Sequence, residues 1–593
     1  MSVSLIDGWD RASLAQHGMW ITERMGAGGR VYAMPFAVRF DGPLDVDAML
    51  AACAAVVERH PVLAATLAEQ DGHVRLVPGE VPPPIRFEDL SGPSAGVFGD
   101  GSGPSAGASG EISALPGGDS GPSGGIEAEI SRPFDLVTGP LARFTLFRLA
   151  PARHVLQLVA HHAVFDGMSK DIVLRDLAAA YGGSALPPLP ISYGEAARAE
   201  QDRVAAGLEG AAEFWRSRWH DDQDLLLPGA TRPSLRAAPG ETVDLALGGE
   251  TAGVAERLGL TRFEVVLAAL HTLLHGYGND RVAVAVDLST RTEETRDHVG
   301  LFVNELPVVS TPRGTFAEFA RSIRQELRAV YRYREVPLAR ALGGISPRTA
   351  LTPVSVSYRR RSGADPVFPG LDASVDWTAF NGAVRNTLHL QVVESRDGLA
   401  ARLQFNPDVL SRAACESVAG HLRTLLLGIA ARPDAPISEL SPGREAAPTR
   451  DAASDGAPGT VLDDAPGTAP ASAAIASAAI DSVTIASGAV ADSAPEAPPA
   501  AGTAPAAGAA AGTAAGAVAD PALLGEVEAI WCEVLGVDEI RPDDDLFDLG
   551  GHSLSITQII ARVRDRMGVE LSFEVFIDTP TVAGVAEEIA RSR

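Results

Sequence analysis

The chain is poor in cysteine, and its three cysteines, Cys53, Cys415 and Cys532, lie far apart without CxxC or Cys/His ligand spacing. That spacing speaks against a disulfide framework and a structural zinc site, and it fits a reducing, cytoplasmic setting. Basic charge is also short: the formal charge is -27 at pH 7. A chain this acidic carries no basic stripe of the kind that nucleic acid or an anionic membrane surface requires. Long apolar runs are missing as well, and the N-terminus MSVSLIDGWD has no basic region followed by an apolar stretch. The expectation is a soluble protein with no leader and no membrane span.

What is present is bulk. With 593 residues and 46% hydrophobic composition the chain can build several cores, about three or four units of ordinary domain size. Two stretches break the globular texture. Residues 91–125 are rich in Gly, Ser and Pro and nearly repeat themselves, with SGPSAG at Ser91 and Ser102 and SGPSGG at Ser120, which reads as a flexible insertion. Residues 443–520 are dominated by Ala, Pro, Gly, Ser and Thr without apolar periodicity and read as a disordered tether, with an r.m.s. reach of about 50 Å.

After the tether, residues 521–593 place Leu523, Val527, Ile530, Trp531, Val534 and Leu535 at helical spacing, then a loop, then a second apolar run from Leu554 to Val563 ended by Gly568. A small helical bundle is predicted. Residues 1–442 mix strands (VLQLV at Val155, VAVAV at Val282) with amphipathic helices such as the one carrying Val173, Leu174, Leu177, Ala178 and Tyr181, an α/β or α+β body. A Pro-rich break at Ala185 to Ile191 divides it into halves, 1–187 and 188–442, each large enough for its own core, with a cleft between them as a natural place for a site.

The chemistry concentrates at AHHAVFDGMS, Ala160 to Ser169. A strand delivers His161 and His162 to its end, a turn holds Asp166 and Gly167, and Ser169 is positioned to cap the next helix. Adjacent strand residues face opposite ways, so one histidine at most faces a given cavity, which weakens a metal reading. Two packed histidines beside an ordinary turn remain an alternative. An imidazole titrates near neutrality, so His162 can accept a proton from an amine or hydroxyl. Gly167 suits a turn with positive φ or close approach to a ligand, and Asp166 can pair with an arginine that holds the loop. The serines of the three G-x-S-x-G matches at Gly92, Gly103 and Gly121 lie in low-complexity repeats, lacking the strand–turn–helix that a hydrolase nucleophile needs.

HHxxxDG resembles the signature of the condensation domains of nonribosomal peptide synthetases. Further matches follow in that family's order: SLAQHGMW at Ser13, ERHPVL at Glu58, RPFDLVTGPLARF at Arg132, VGLFVNELP at Val299 and, weakly, REVPLARAL at Arg334. The resemblance covers residues 1 to about 440 and implies two chloramphenicol-acetyltransferase-like lobes in a V, with His162 as the active-site residue and Asp166 structural. Departures occur at Pro61, Ala64 and Ala65 in the second motif and at Met168, where the family usually has Trp. The lost motif-two arginine leaves the site needing another brace, for which Arg291 is the candidate partner of Asp166; His161 and Gly167 complete the expected support.

LFDLGGHSL, ending just past Ser553, resembles the phosphopantetheine attachment motif of peptidyl carrier proteins. A phosphate on Ser553 would meet free backbone N–H groups at a helix start; an ordinary N-cap serine is the plainer alternative. Together the resemblances imply a condensation–carrier module of antibiotic or other secondary-metabolite biosynthesis that forms an amide between a carrier-bound acyl donor and an amine acceptor on Ser553. The implied partners are an upstream acyl carrier, an adenylation enzyme acting in trans because no such segment fits before the tether, a phosphopantetheinyl transferase, and a downstream synthetase or release enzyme. No metal is expected. The alternatives are ester formation or a free-amine acceptor, an epimerase, and an inactive scaffold presenting its carrier.

Overall fold

The computed structural model describes every residue except 1–9, 25–28, 71–72, 92–121, 221–224, 231–232, 344–348, 362, 364, 397, 441–520, 538, 547–548, 550–552, 570, 572–574 and 593. The predicted tether, 443–520, and most of the predicted insertion, 91–125, lie outside the described residues. The end of that insertion is corrected: its last residues open a helix, Pro122–Ser131. The sequence after Gly125 (IEAEI) returns to helix formers, and Ile126 is buried with Phe147 and Val155.

The body is a mixed α/β fold with two lobes. The first lobe is built on a five-stranded sheet in the order Asp372–Asp376, Ala33–Asp41, Arg153–His161, Ala142–Ala150, Ile85–Asp89. Every pair is antiparallel except Ile85–Asp89 with Ala142–Ala150. Arg153–His161 is central and buried at all positions but the first. It reads as a near-continuous apolar run because both faces are covered. Helices Val46–Arg59 and Gly167–Tyr181 pack together and place Val56, Val173 and Leu177 in one core, while Pro122–Ser131 supplies Ile126 to a second cluster with Phe147 and Val155.

The division at Ala185 to Ile191 is therefore incomplete. Strand Asp372–Asp376, from the second half of the body, pairs with Ala33–Asp41 of the first, Asp376 opposite Ala37. Val299 and Phe368 sit in the first lobe's core. Crossing strands of this kind tie two lobes together through backbone hydrogen bonds as well as side-chain packing.

The second lobe carries a six-stranded sheet, Val303–Ser310, Val282–Ser289, Val354–Arg360, Leu388–Ser395, Gly398–Phe405, Glu241–Leu245, with a parallel centre and antiparallel edges. Helices Arg262–Gly276, Phe316–Tyr331 and Arg412–Ala431 contribute to its core. The C-terminal region folds around its own cluster. Val527, Ile530 and Trp531 of Pro521–Leu535 meet Ile556, Ile559 and Val563 of Ser553–Met567 and Val585 and Ile589 of Val582–Ser592. Gly568 ends the middle helix at φ +68°, a left-handed position that glycine takes without steric cost.

Candidate active site

His161 is the last residue of its strand and His162 opens a short 3-10 turn, His162–Val164. The turn sends the two rings apart. His161 Nδ1 accepts from Ala163 N at 3.1 Å, so its Nε2 carries the proton and donates to Glu23 Oε1 at 3.3 Å. Its ring is packed between Tyr32 and Phe134, centroids 5.8 Å away in each case. His162 Nδ1 lies 2.8 Å from the Phe165 carbonyl. A carbonyl only accepts, so Nδ1 is the protonated nitrogen and Nε2 presents a lone pair. His162 lines a cavity of about 940 Å³ together with Gly167, Met168, Lys170, Trp377 and Arg385.

Burial, followed by the nearby Arg385 guanidinium, pushes the His162 imidazole down to about 4. It is neutral at pH 7 and a weaker base than an ordinary histidine, which revises the expectation of a group titrating near neutrality. Arg385 is held by Glu305 at 3.1 Å and lies 3.9 Å from Asp287; burial raises the Asp287 carboxyl to about 6.

Asp166, Gly167 and Ser169 also differ in detail from expectation. The helix cap is Asp166, not Ser169: Asp166 Oδ1 accepts from Ser169 N and Oγ, both at 2.8 Å, while Asp166 N donates to Ser169 Oγ. Asp-x-x-Ser thus works as a capping box with the acid first. Gly167 does not take a positive φ, and a Cβ there would meet Arg359 Cδ at an ordinary 3.8 Å. Its carbonyl accepts from Arg359, and it forms part of the cavity wall.

The structure brings Arg291 to Asp166. Arg291 Nη2 is 2.9 Å from each carboxylate oxygen, and Nη1 donates to the carbonyls of Thr295 and His298 at 2.9 and 2.6 Å. Its side chain is fully buried and lies over the Phe302 ring. Phe302 N donates to Asp166 Oδ2, 3.1 Å, and Gly300 N donates to Ser169 Oγ at the same distance. Position 300 requires glycine, because a Cβ there would fall 2.2 Å from the Tyr193 ring.

Residues of the other motifs meet this turn or one another. Gln16 of SLAQHGMW donates to the Ala163 carbonyl at 2.8 Å. Phe134 of RPFDLVTGPLARF packs against His161 and lies under Arg143. Asn304 of VGLFVNELP donates to the carbonyl of Arg334 in REVPLARAL. Sequence reasoning missed one cluster: Arg59 and His60 of ERHPVL both bind Asp176 of helix Gly167–Tyr181, at 2.6 and 2.8 Å. The adjacent Arg-His at a helix end and an aspartate on an otherwise apolar helix face were its only local signals.

Ser553 is the first residue of Ser553–Met567. The sequence before it is Gly-Gly-His, and a 15-residue helix opening at the serine leaves its first N–H groups without intrahelical partners, which suits a phosphodiester on that residue. The loop ahead of it reaches the body: Asp545 lies 2.6 Å from Arg328 and 3.7 Å from Arg324, and Asp543, Asp545 and Leu549 line the same cavity as His162.

The body is thus two-lobed, with a strand-end histidine turned into a cavity that a loop of the small C-terminal bundle also lines. The condensation-domain family model matches residues 11–94 and 123–447, and the phosphopantetheine attachment site model matches residues 525–589. The chain belongs to the condensation-domain family of nonribosomal peptide synthetases and carries a phosphopantetheine-attachment domain after it. Chondramide synthase of Chondromyces crocatus is 28% identical over 451 residues, and tyrocidine synthase 3 of Brevibacillus parabrevis 27% over 452. Each match covers 72% of this chain but only 11% and 6% of those far longer proteins. Among solved structures, the X-domain from teicoplanin biosynthesis matches with TM-score 0.59 and 24% identity over 74% of this chain and 99% of that one. The first condensation domain of the calcium-dependent antibiotic synthetase matches with TM-score 0.58 and 20% identity over 73% and 98%. Among the described residues no helix is long and apolar enough to cross a membrane.

Proposed function

We propose that this chain forms an amide bond between an acyl group delivered as a carrier thioester and an amine acceptor held on its own Ser553. The observation that carries the reading is His162. Its Nδ1–H is fixed on the Phe165 carbonyl and its neutral Nε2 is the ring's open valence, in a cavity that the carrier's acidic loop also lines. Phosphopantetheine, when attached to Ser553, supplies the thiol that carries the acceptor. The two lobes are then the halves of a V-shaped, acetyltransferase-like body.

His162 Nε2 receives a proton from the acceptor nitrogen as the N–C bond forms and the donor's C–S bond breaks, and that proton ends on the departing sulfur. A group pushed down to about 4 is a modest base, so most of the rate comes from holding the reactants. Effective molarities reach about 10⁵ to 10⁸ M, against about 10² to 10⁴-fold for a general base. Asp166, Arg291, His161 and Gly167 act as positioning residues for the turn. An upstream acyl carrier, an adenylation enzyme acting in trans, a phosphopantetheinyl transferase and a downstream enzyme complete the proposed pathway.

The test is intact-protein mass spectrometry of the full chain after treatment with a phosphopantetheinyl transferase and coenzyme A, loading of an aminoacyl group, and addition of an acyl thioester donor. The expected result is acyl-aminoacyl mass on Ser553, absent in Ser553→Ala. Product released as a soluble ester or amide, with nothing retained on Ser553, would overturn it.

A further inference from the structure

Lys170 is the chain's single lysine; arginine supplies each of the other 48 of its 49 basic residues. It sits in the first turn of Gly167–Tyr181, two residues after Met168, 4% exposed, and lines the cavity with His162. Among the described residues its ammonium makes no hydrogen bond and no ion pair, although two carboxylates stand near it. Both are engaged elsewhere: Asp171 holds Arg359 at 3.2 Å and Arg361 at 2.8 Å, and Asp376 accepts from Thr378 N and Oγ1. The arginines Arg359 and Arg385 on the cavity wall each have a carboxylate partner. Lys170 differs from them in residue type and in pairing.

A buried, unpaired and permanent cation is costly, and an arginine at this position could not shed its charge. A lysine can. Burial, with Arg359 adding to it, lowers the Lys170 ammonium to about 7. Near neutrality it can be uncharged while the cavity offers no anion, and it regains its proton when one arrives. An ammonium on a flexible stem, with three donors free and the cavity in front of it, matches a carboxylate. Lys170 is 4% exposed, and burial strengthens such a pair relative to one in open water.

We propose that Lys170 is a specificity residue that recognises a carboxylate carried by one of the two reactants. This rests on the amide-forming reading above and narrows it, since one substrate then bears a free carboxylate besides its reacting group. The source is either the acyl donor's far end or the side chain of the aminoacyl acceptor on Ser553, and the experiment separates them.

The full-length, pantetheinylated protein made with [ε-¹⁵N]lysine gives one side-chain signal. Its pH midpoint is followed with succinyl-pantetheine against butyryl-pantetheine as donor mimics, and with α-aspartyl-pantetheine against asparaginyl-pantetheine as acceptor mimics. We expect the carboxylate member of one pair to raise the midpoint by about one unit or more, a tenfold preference for the charged form, and its neutral counterpart to leave it in place. In condensation assays the same carboxylate reactant should exceed its counterpart by about tenfold in kcat/KM, chiefly through KM. That ratio should fall to about one in Lys170→Gln and return in Lys170→Arg, where charge is kept but titration is not. An unmoved midpoint with all four compounds, or a ratio that Lys170→Gln leaves unchanged, overturns the proposal. Absence of product from every pair would instead count against amide formation, with the midpoint still reporting on carboxylate binding.

Discussion

The two sides of the His161–Ser169 turn are built on opposite rules. Behind the turn, Asp166 is saturated: Ser169 N and Oγ, Arg291 Nη2 and Phe302 N all donate to it. In front, His162 and Lys170 each keep an open valence toward the cavity. A buried carboxylate with every lone pair engaged is a structural fixture, because removing any partner leaves charge without compensation. A buried group with one position left open is tolerable only if it is uncharged or receives a partner from outside. On the proposed function, one side supplies rigidity and the other chemistry, and substitutions should separate the two.

The largest effect is expected at Arg291. Arg291→Leu strands Asp166, and breaking such a buried pair costs about 3 to 5 kcal/mol. The midpoint of urea unfolding should fall accordingly and condensation should be lost with it. Arg291→Lys should recover only part, since one ammonium cannot hold both carboxylate oxygens and the Thr295 and His298 carbonyls together. A loss below about 1 kcal/mol, the scale of a surface pair, would break the comparison.

His162→Ala should do the reverse. Condensation should fall by about 10²-fold, the lower end for a general base, given an imidazole pushed down to about 4. The unfolding midpoint and the pantetheinylation of Ser553 should stay near wild type. Unchanged condensation would remove His162 from the chemistry and leave the cavity as a positioning device alone.

A pH series sharpens the same point. His162 is lowered to about 4, and the buried His271 and the cavity-lining His389 to about 3. In the unfolded chain these groups titrate near 6.5, so below that pH unfolding takes up protons that the native state does not bind. Stability from this source therefore falls as pH drops from about 6.5 toward 4. Activity should fade earlier. An α-amine acceptor has a reference value of about 7.7 to 8.0, so the acid limb of the rate should follow the acceptor, and it should persist in His162→Ala. A limb that vanishes in that variant would mean that His162 titrates near neutrality after all.

Much of this arrangement was legible in the residues. Apolar runs and helical spacing marked the His161 strand, its following helix and the C-terminal bundle, and the charge complementarity of Asp166 and Arg291 was open to inference. What was hidden depends on long-range pairing. Nothing local in Asp372–Asp376 says that it completes a sheet begun by Ala33–Asp41. Asp166 and Ser169 are both good caps, and only the backbone of the turn decides that the acid comes first. The His60–Asp176 contact joins a helix end to a helix middle 116 positions away, and the lowered basicity of His162 arises from burial that no local pattern announces.

The smallest expected effect concerns how the carrier meets the body. Asp545 faces Arg328 and Arg324, and the three side chains remain between 14 and 19% exposed. A pair of this kind contributes on the order of 1 kcal/mol or less and is screened by salt. Asp545→Asn should therefore slow transfer to the carrier's own acceptor by no more than about fivefold, and the deficit should shrink as ionic strength rises. The rate with a soluble amine acceptor should stay unchanged, since that reaction never uses the loop. An equal loss with both acceptors would place Asp545 in the cavity's architecture, on the rigid side of the comparison, and not in the docking of a carrier.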